Sequence, residues 1–294
     1  MNFSRTASGL SNMAQFCGAE IIVFTEGGST SYTTHEALNG NFNTHSVDIK
    51  FWSAALKKYG FNKKLHFRAL GSKTSAEEIA IKVANLEVKN VIVVRDSDLD
   101  YFLGSKIDSP YVLYTYGYSW ENDVWHKNSL ISQVISFNMS VDLPEPCIEL
   151  INKSFSTLDN YAKRLLLLEL IHRKNGLSFI TSCTGEQFIN SRSQPNLKMS
   201  SLLKLLREKK EKITRPAKGN ANFNLQDAIR YCYGKLYECL AYNVLCYVSK
   251  TQLGIRTIPK AVITSIMIDK FSVLQDPNID HYYQQMIDRL RRCL

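Results

Sequence analysis

The sequence lacks any long apolar run. Its 294 residues are 45% hydrophobic, yet no apolar stretch reaches the ~18 residues that a bilayer-spanning helix needs. Met1 to Glu20 is polar and has no signal-peptide core, so the expected location is the cytoplasm, with no membrane partner. Cysteine is scarce and odd in number, at seven, which does not suit a secreted disulfide scaffold. Cys232, Cys239 and Cys246 recur every seven residues. On a helix that step rises roughly 10 Å, too far for one tetrahedral zinc. They read as small buried side chains of a core stripe. The six histidines show no ligand spacing, and no G-x-x-x-x-G-K-[ST] loop is present, so any ATP dependence has to come from a partner. There is no internal repeat and no low-complexity tract.

What is present is an excess of positive charge, unevenly placed. The net charge is +9. Residues 1–128 carry 13 Lys and Arg against 13 Asp and Glu, whereas 129–294 carry 23 against 14. A neutral half with acidic clusters and a basic half suggest chemistry in the first and polyanion binding in the second.

The first half alternates strand and helix patterns. Ala19–Thr25 is a short apolar run that suits a buried parallel strand, and it ends at Glu26-Gly27-Gly28. A polar insert, residues 27–47, follows, with Asn39-Gly40 as a hairpin signal. A helix is expected from Asp48 to Tyr59, a strand from Leu65 to Leu70, and a helix capped by Ser75 with Glu78 completing the box. Asn90–Arg95 is the third strand and opens into Asp96-Ser97-Asp98-Leu99-Asp100. Tyr111–Tyr116 is the fourth. This order implies an α/β domain, residues 1–128, with a parallel sheet and flanking helices. Residues 129–294 read as a mostly helical, basic C-terminal domain, with Pro144 and Pro146 marking a linker. Helices are expected at 158–173, 202–213, 225–248 and 279–294.

Ligands of such sheets bind at the carboxyl ends of the strands, where Glu26, Gly71, Asp96 and Glu121 are all placed. Mg²⁺ prefers oxygen ligands, commonly one or two carboxylates with water and phosphate. Glu26, Asp96 and Asp98 are the candidate catalytic and metal-binding acids, with Glu121 and the weaker Asp100 as further metal ligands. Mn²⁺ is an alternative ion. Carboxylates crowded at one sheet edge repel unless a cation is present. Asp-x-Asp alone also arises as an Asx turn. It is equally the nucleophile and acid of haloacid dehalogenase phosphatases, but there the pair follows the first strand.

These residues carry a resemblance. Glu26-Gly27 after an apolar strand, then Gly71-Ser72-Lys73, then Asp96-Ser97-Asp98 after VIVVR, is similar to a toprim catalytic domain. Tyr114–Trp125 (YTYGYSWENDVW), with Ser119, Glu121 and Asn122, resembles a bacterial toprim-like nuclease family associated with ABC-type ATPases, and Gly234-Lys235 matches that family's Gly-Lys at a helix start. The resemblance implies a toprim-like fold and a Mg²⁺-dependent endonuclease of anti-phage defence. It would be held by a partner ATPase, cut host tRNA on release, and act as a homodimer. Alternatives are a toprim DNA nuclease of the overcoming-lysogenization-defect type and a non-catalytic subunit that docks on an ATPase. Family members place an acid soon after Glu-Gly. Here some 20 residues precede Asp48, so if Asp48 is that acid the insert protrudes as a loop.

Several cations remain. Lys235 is a candidate catalytic residue that would stabilise the transition state's charge, or else a surface lysine. Lys73 stands where a loop meets a helix N-terminus and could touch phosphate. Lys204, Arg207, Lys209, Lys210 and Lys212 form a basic strip suited to nucleic acid, or a solvated face. Tyr231, Tyr233, Tyr237, Tyr242 and Tyr247 read as core or dimer contacts before base-stacking platforms.

Overall fold

The computed structural model describes residues 12–139, 145–181, 184–210 and 228–294. In chain order the elements are α1 (Met13–Phe16), β1 (Ile21–Thr25), α2 (Thr34–Leu38), α3 (Val47–Lys58), β2 (Leu65–Ala69), α4 (Lys73–Ala84), β3 (Val91–Arg95), α5 (Asp100–Leu103) and β4 (Val112–Tyr114). There follow α6 (Trp120–Val124), α7 (Lys127–Phe137), α8 (Glu145–Lys174), a two-stranded hairpin of β5 (Ile189–Asn190) and β6 (Asn196–Leu197), α9 (Met199–Lys210), α10 (Gly234–Leu253), α11 (Lys260–Val273) and α12 (Pro277–Cys293). Among the described residues, no helix is long and apolar enough to cross a membrane.

The chain divides into two compact units that are not successive stretches. The first holds residues 1–97, 106–116 and 271–294, and the second holds 98–105 and 117–270. This differs from the expected boundary at residue 128. The physical reason within the first unit is α12, whose side chains close the edge of the sheet.

That sheet is parallel, in the order β2-β1-β3-β4. β1 and β3 are fully buried and apolar up to their last residues, Thr25 and Arg95, as suits central strands covered on both faces. Alternate residues serve opposite faces. Ile22, Phe24, Val91 and Val93 pack with Ala76, Ile79, Ala80 and Val83 of α4. Phe51 and Trp52 of α3 meet Tyr283 of α12 edge-on. β4 is an edge strand, which exposes ladder groups to stray pairing. Here Tyr282 donates to the Tyr114 carbonyl at 3.1 Å, and the Tyr116 N–H donates to the Tyr283 hydroxyl at 3.2 Å.

The polar insert is tied to β2. Asn43 and Ala69 exchange two backbone hydrogen bonds, 2.8 and 3.0 Å, and the Asn43 side chain bonds both the N–H and the carbonyl of Thr30. Asn39-Gly40 does not turn a hairpin; Asn39 ends α2, which Thr33 and Glu36 open with a capping box. α4 is capped by Ser72, not Ser75, whose hydroxyl donates to the Tyr32 carbonyl at 2.6 Å.

In the second unit the core is formed by Leu130, Val134, Ile151, Phe155, Leu158, Leu166, Leu236, Leu240 and Val244, all buried. Cys232 and Cys239 are buried and Cys246 half-buried, in line with a core stripe. Burial pushes the Cys232 thiol up to about 12, reinforced by Asp159, and that of Cys239 to about 11. Of the five tyrosines, Tyr231 and Tyr233 precede α10, and Tyr237 lies in the core.

Candidate functional site

In the first unit, β1 and β3 are hydrogen-bonded neighbours with Thr25 opposite Val94. Continuing both strands by one or two residues places Glu26 and Asp96 at the carboxyl ends of adjacent central strands. Between them in the sequence logic stands Arg95, the last residue of β3. Its side chain is 1% exposed, with Nε 3.6 Å from Oε2 of Glu26 and Nη2 3.5 Å from Oε2 of Glu77. A buried guanidinium is costly unless carboxylates face it, and Glu26 and Glu77 are the carboxylates that face Arg95.

Asp48 does return to the Glu-Gly turn. Ser46 caps α3 by accepting from the Ile49 N–H, which places Asp48 in the first turn. Its Oδ2 accepts the Gly27 N–H at 2.7 Å. A Cβ on Gly27 would stand 2.2 Å from that oxygen, so only glycine admits the contact. Lys73 is the first residue of α4 and is half-buried.

The second unit holds the remaining candidates. Asp98 has φ +43°, an uncommon conformation that Asp tolerates better than most residues. Its N–H donates to the Tyr118 carbonyl at 2.7 Å. Asp100 opens α5, buried, and accepts from the Ser105 hydroxyl at 3.2 Å.

Glu121 is not at a strand end. β4 stops at Tyr114, the Gly117 N–H bonds Asp123 at 2.6 Å, and Ser119 with Asn122 forms a capping box that opens α6. The Glu121 carboxylate, 2% exposed, accepts from the Ser119 hydroxyl and ion-pairs with Lys235. Gly234 permits this: a Cβ there would fall 1.9 Å from Ser119 Oγ. Lys235 remains 44% exposed and lies 3.9 Å from the buried Glu238. Glu121 is therefore an anchor for Lys235, a role that competes with metal ligation. Gly234 begins α10, later than the helix expected from residue 225, which itself lies outside the described residues.

On α9, Lys204 pairs with Glu208 at 3.9 Å, and Arg207 and Lys210 are exposed. Lys209 is spent on fold: its ammonium donates to the carbonyls of Ser178 and Phe179. Lys212 lies outside the described residues.

Among the described residues, no three or more His, Cys, Asp or Glu side chains are grouped so as to hold a metal ion. The candidate acids thus form no closed cage. Carboxylate-only donors still fit a hard ion that takes one or two protein ligands and completes its octahedron with water and substrate phosphate. Arg95 was missed in the sequence, although a single charged residue closing an otherwise apolar VIVV strand was a visible signal. Compared with known families and curated proteins, the chain matches no family model and no curated relative.

Proposed function

We propose that this chain is a Mg²⁺-dependent toprim-like endonuclease that cuts phosphodiester bonds. The observation that carries the reading is the pairing of β1 with β3, which sets Glu26 and Asp96 at neighbouring strand ends in a parallel sheet. Such ends are where ligands of these sheets bind. Glu26 and Asp96 would hold the ion, with Asp98 two residues further along the chain. Bound there, Mg²⁺ would neutralise phosphate charge and make a water easier to deprotonate. Arg95 faces Glu26 from the last residue of β3. In the second unit Lys235, anchored by Glu121, presents a half-exposed ammonium to a polyanionic substrate.

The substrate class is taken from the resemblance. Similarity to the toprim effector of the PARIS anti-phage system favours host tRNA, release from an ABC-type ATPase, and a homodimer as the active form. Expression without the ATPase, beside a Glu26→Gln variant, tests this. Cleaved tRNA that stays intact in the variant is the expected result. Nicked DNA with intact RNA would move the assignment to a DNA nuclease. Cleavage of neither would leave a docking subunit as the better reading.

A further inference from the structure

The second unit holds a cation that the proposed reaction has not yet used. Arg173 lies in the last turn of α8. Its Nε donates to Oε1 of Glu169 at 2.8 Å, and its Nη2 donates to the Tyr118 hydroxyl at 3.2 Å. Glu169 is itself fixed: its other oxygen accepts the N–H groups of Phe179 and Ile180 at 3.0 and 3.1 Å, and its side chain is only 8% exposed. Tyr118, whose hydroxyl meets Arg173, offers its carbonyl to the Asp98 N–H. A guanidinium is thus locked on one edge, one residue removed from the strained Asp98.

A plain i,i+4 ion pair at a helix end would account for the Glu169 contact alone. It does not account for what the rest of the guanidinium does. Arginine has five N–H donors, and two are used here. The other three meet no protein acceptor among the described residues, while the side chain is 31% exposed. A planar, pre-oriented fork with further donors matches the paired oxygens of a phosphate or a carboxylate, and of the two a polyanionic substrate supplies the phosphate.

We propose that Arg173 binds a phosphate of the nucleic-acid substrate, and that Glu169 is the residue positioning it. This deepens the nuclease reading and rests on it for the identity of the ligand. Arg173 belongs to the basic half of the chain, and α9 reaches the same segment: Phe179, which donates its N–H to Glu169, accepts from Lys209 through its carbonyl.

The test uses the full chain, EDTA, and fluorescein-labelled single-stranded RNA and DNA oligonucleotides, with affinity read by anisotropy across a salt series. Replacing Arg173 by Gln removes one phosphate contact, so the slope of log K against log salt should shrink by about 0.7, the single-strand value per contact. R173K keeps the charge and loses the fork, so its slope should match wild type while its affinity falls several-fold. A wild-type slope in R173Q, or wild-type affinity in R173K, overturns the assignment, and R173K alone decides if R173Q does not fold. Failure of the two ideas is separable. A wild type whose slope depends on Arg173 but which cuts nothing with Mg²⁺ sinks the nuclease reading alone. A wild type that binds neither oligonucleotide sinks both.

Discussion

Arg95 Nε stands 3.6 Å from Oε2 of Glu26, in a side chain that is 99% covered. Removing one member of such a pair leaves the other charge buried and uncompensated, whereas removing both can be almost neutral. Glu26→Gln and Arg95→Met should each destabilise the fold by about 2–4 kcal/mol. The double variant should lose less than the sum, with a coupling of at least ~1 kcal/mol. Urea unfolding of the four proteins measures it, and strict additivity would sink the pairing.

Gly27 has a second constraint. Its N–H bonds Asp48, and a side chain would collide with that carboxylate. Gly27→Ala should cost about 1–3 kcal/mol, the usual range for overpacking. Adding Asp48→Ala should recover part of the loss, because it removes the clashing atoms. A thermal melt of the single and double variants checks this; a double variant no more stable than Gly27→Ala counts against the contact.

At Asp98 conformation and chemistry can be separated. Asn tolerates positive φ almost as well as Asp, but Ala does not. Asp98→Asn should therefore keep the melting temperature and lose cleavage, whereas Asp98→Ala should lose both, with about 1 kcal/mol of stability. Full cleavage by the Asn variant would remove Asp98 from the metal site.

The four strands were legible because their apolar, β-branched runs end in Gly or acidic residues. The helices at 47–58 and 73–84 were legible from their amphipathic spacing. What escaped was set by tertiary contact. Ser75 and Ser72 are both plausible caps, and only the Tyr32 carbonyl, 43 residues away, draws Ser75 off. The insert reads as a loop because Asn43 finds its partner, Ala69, across 26 residues. Glu121 was misplaced for a local reason. Ser119 and Asn122 spell a helix start, but the preceding aromatic run suggested a longer strand. α11 (Lys260–Val273) went unread as a separate helix because it is apolar on nearly every side and shows no stripe. Of the candidate residues, Glu26 and Asp96 were placed at strand ends from the sequence, and Lys235 was singled out without its partner Glu121. Arg173 declares itself only through the carboxylate it faces.

The attachment of α12 to α3 should depend on pH through Asp280. Lys58 Nζ lies 2.7 Å from its carboxylate, and the Tyr59 hydroxyl donates to it at 2.6 Å. Burial pushes this carboxyl up, but the bonds from Lys58 and Tyr59, with the Asp276 N–H, outweigh it and hold the carboxyl below its ordinary 3.8. A depressed carboxyl stabilises the fold above its unfolded value, and that contribution fades as pH falls through the folded value. With Asp280 27% exposed, the effect should be about 1 kcal/mol. Wild type should therefore exceed Asp280→Asn in urea resistance at neutral pH, and the two should converge as the solution is acidified below ~4. Equal stabilities at neutral pH, or a gap that persists in acid, would mean that the Asp280 carboxylate does not help to hold α12 to α3.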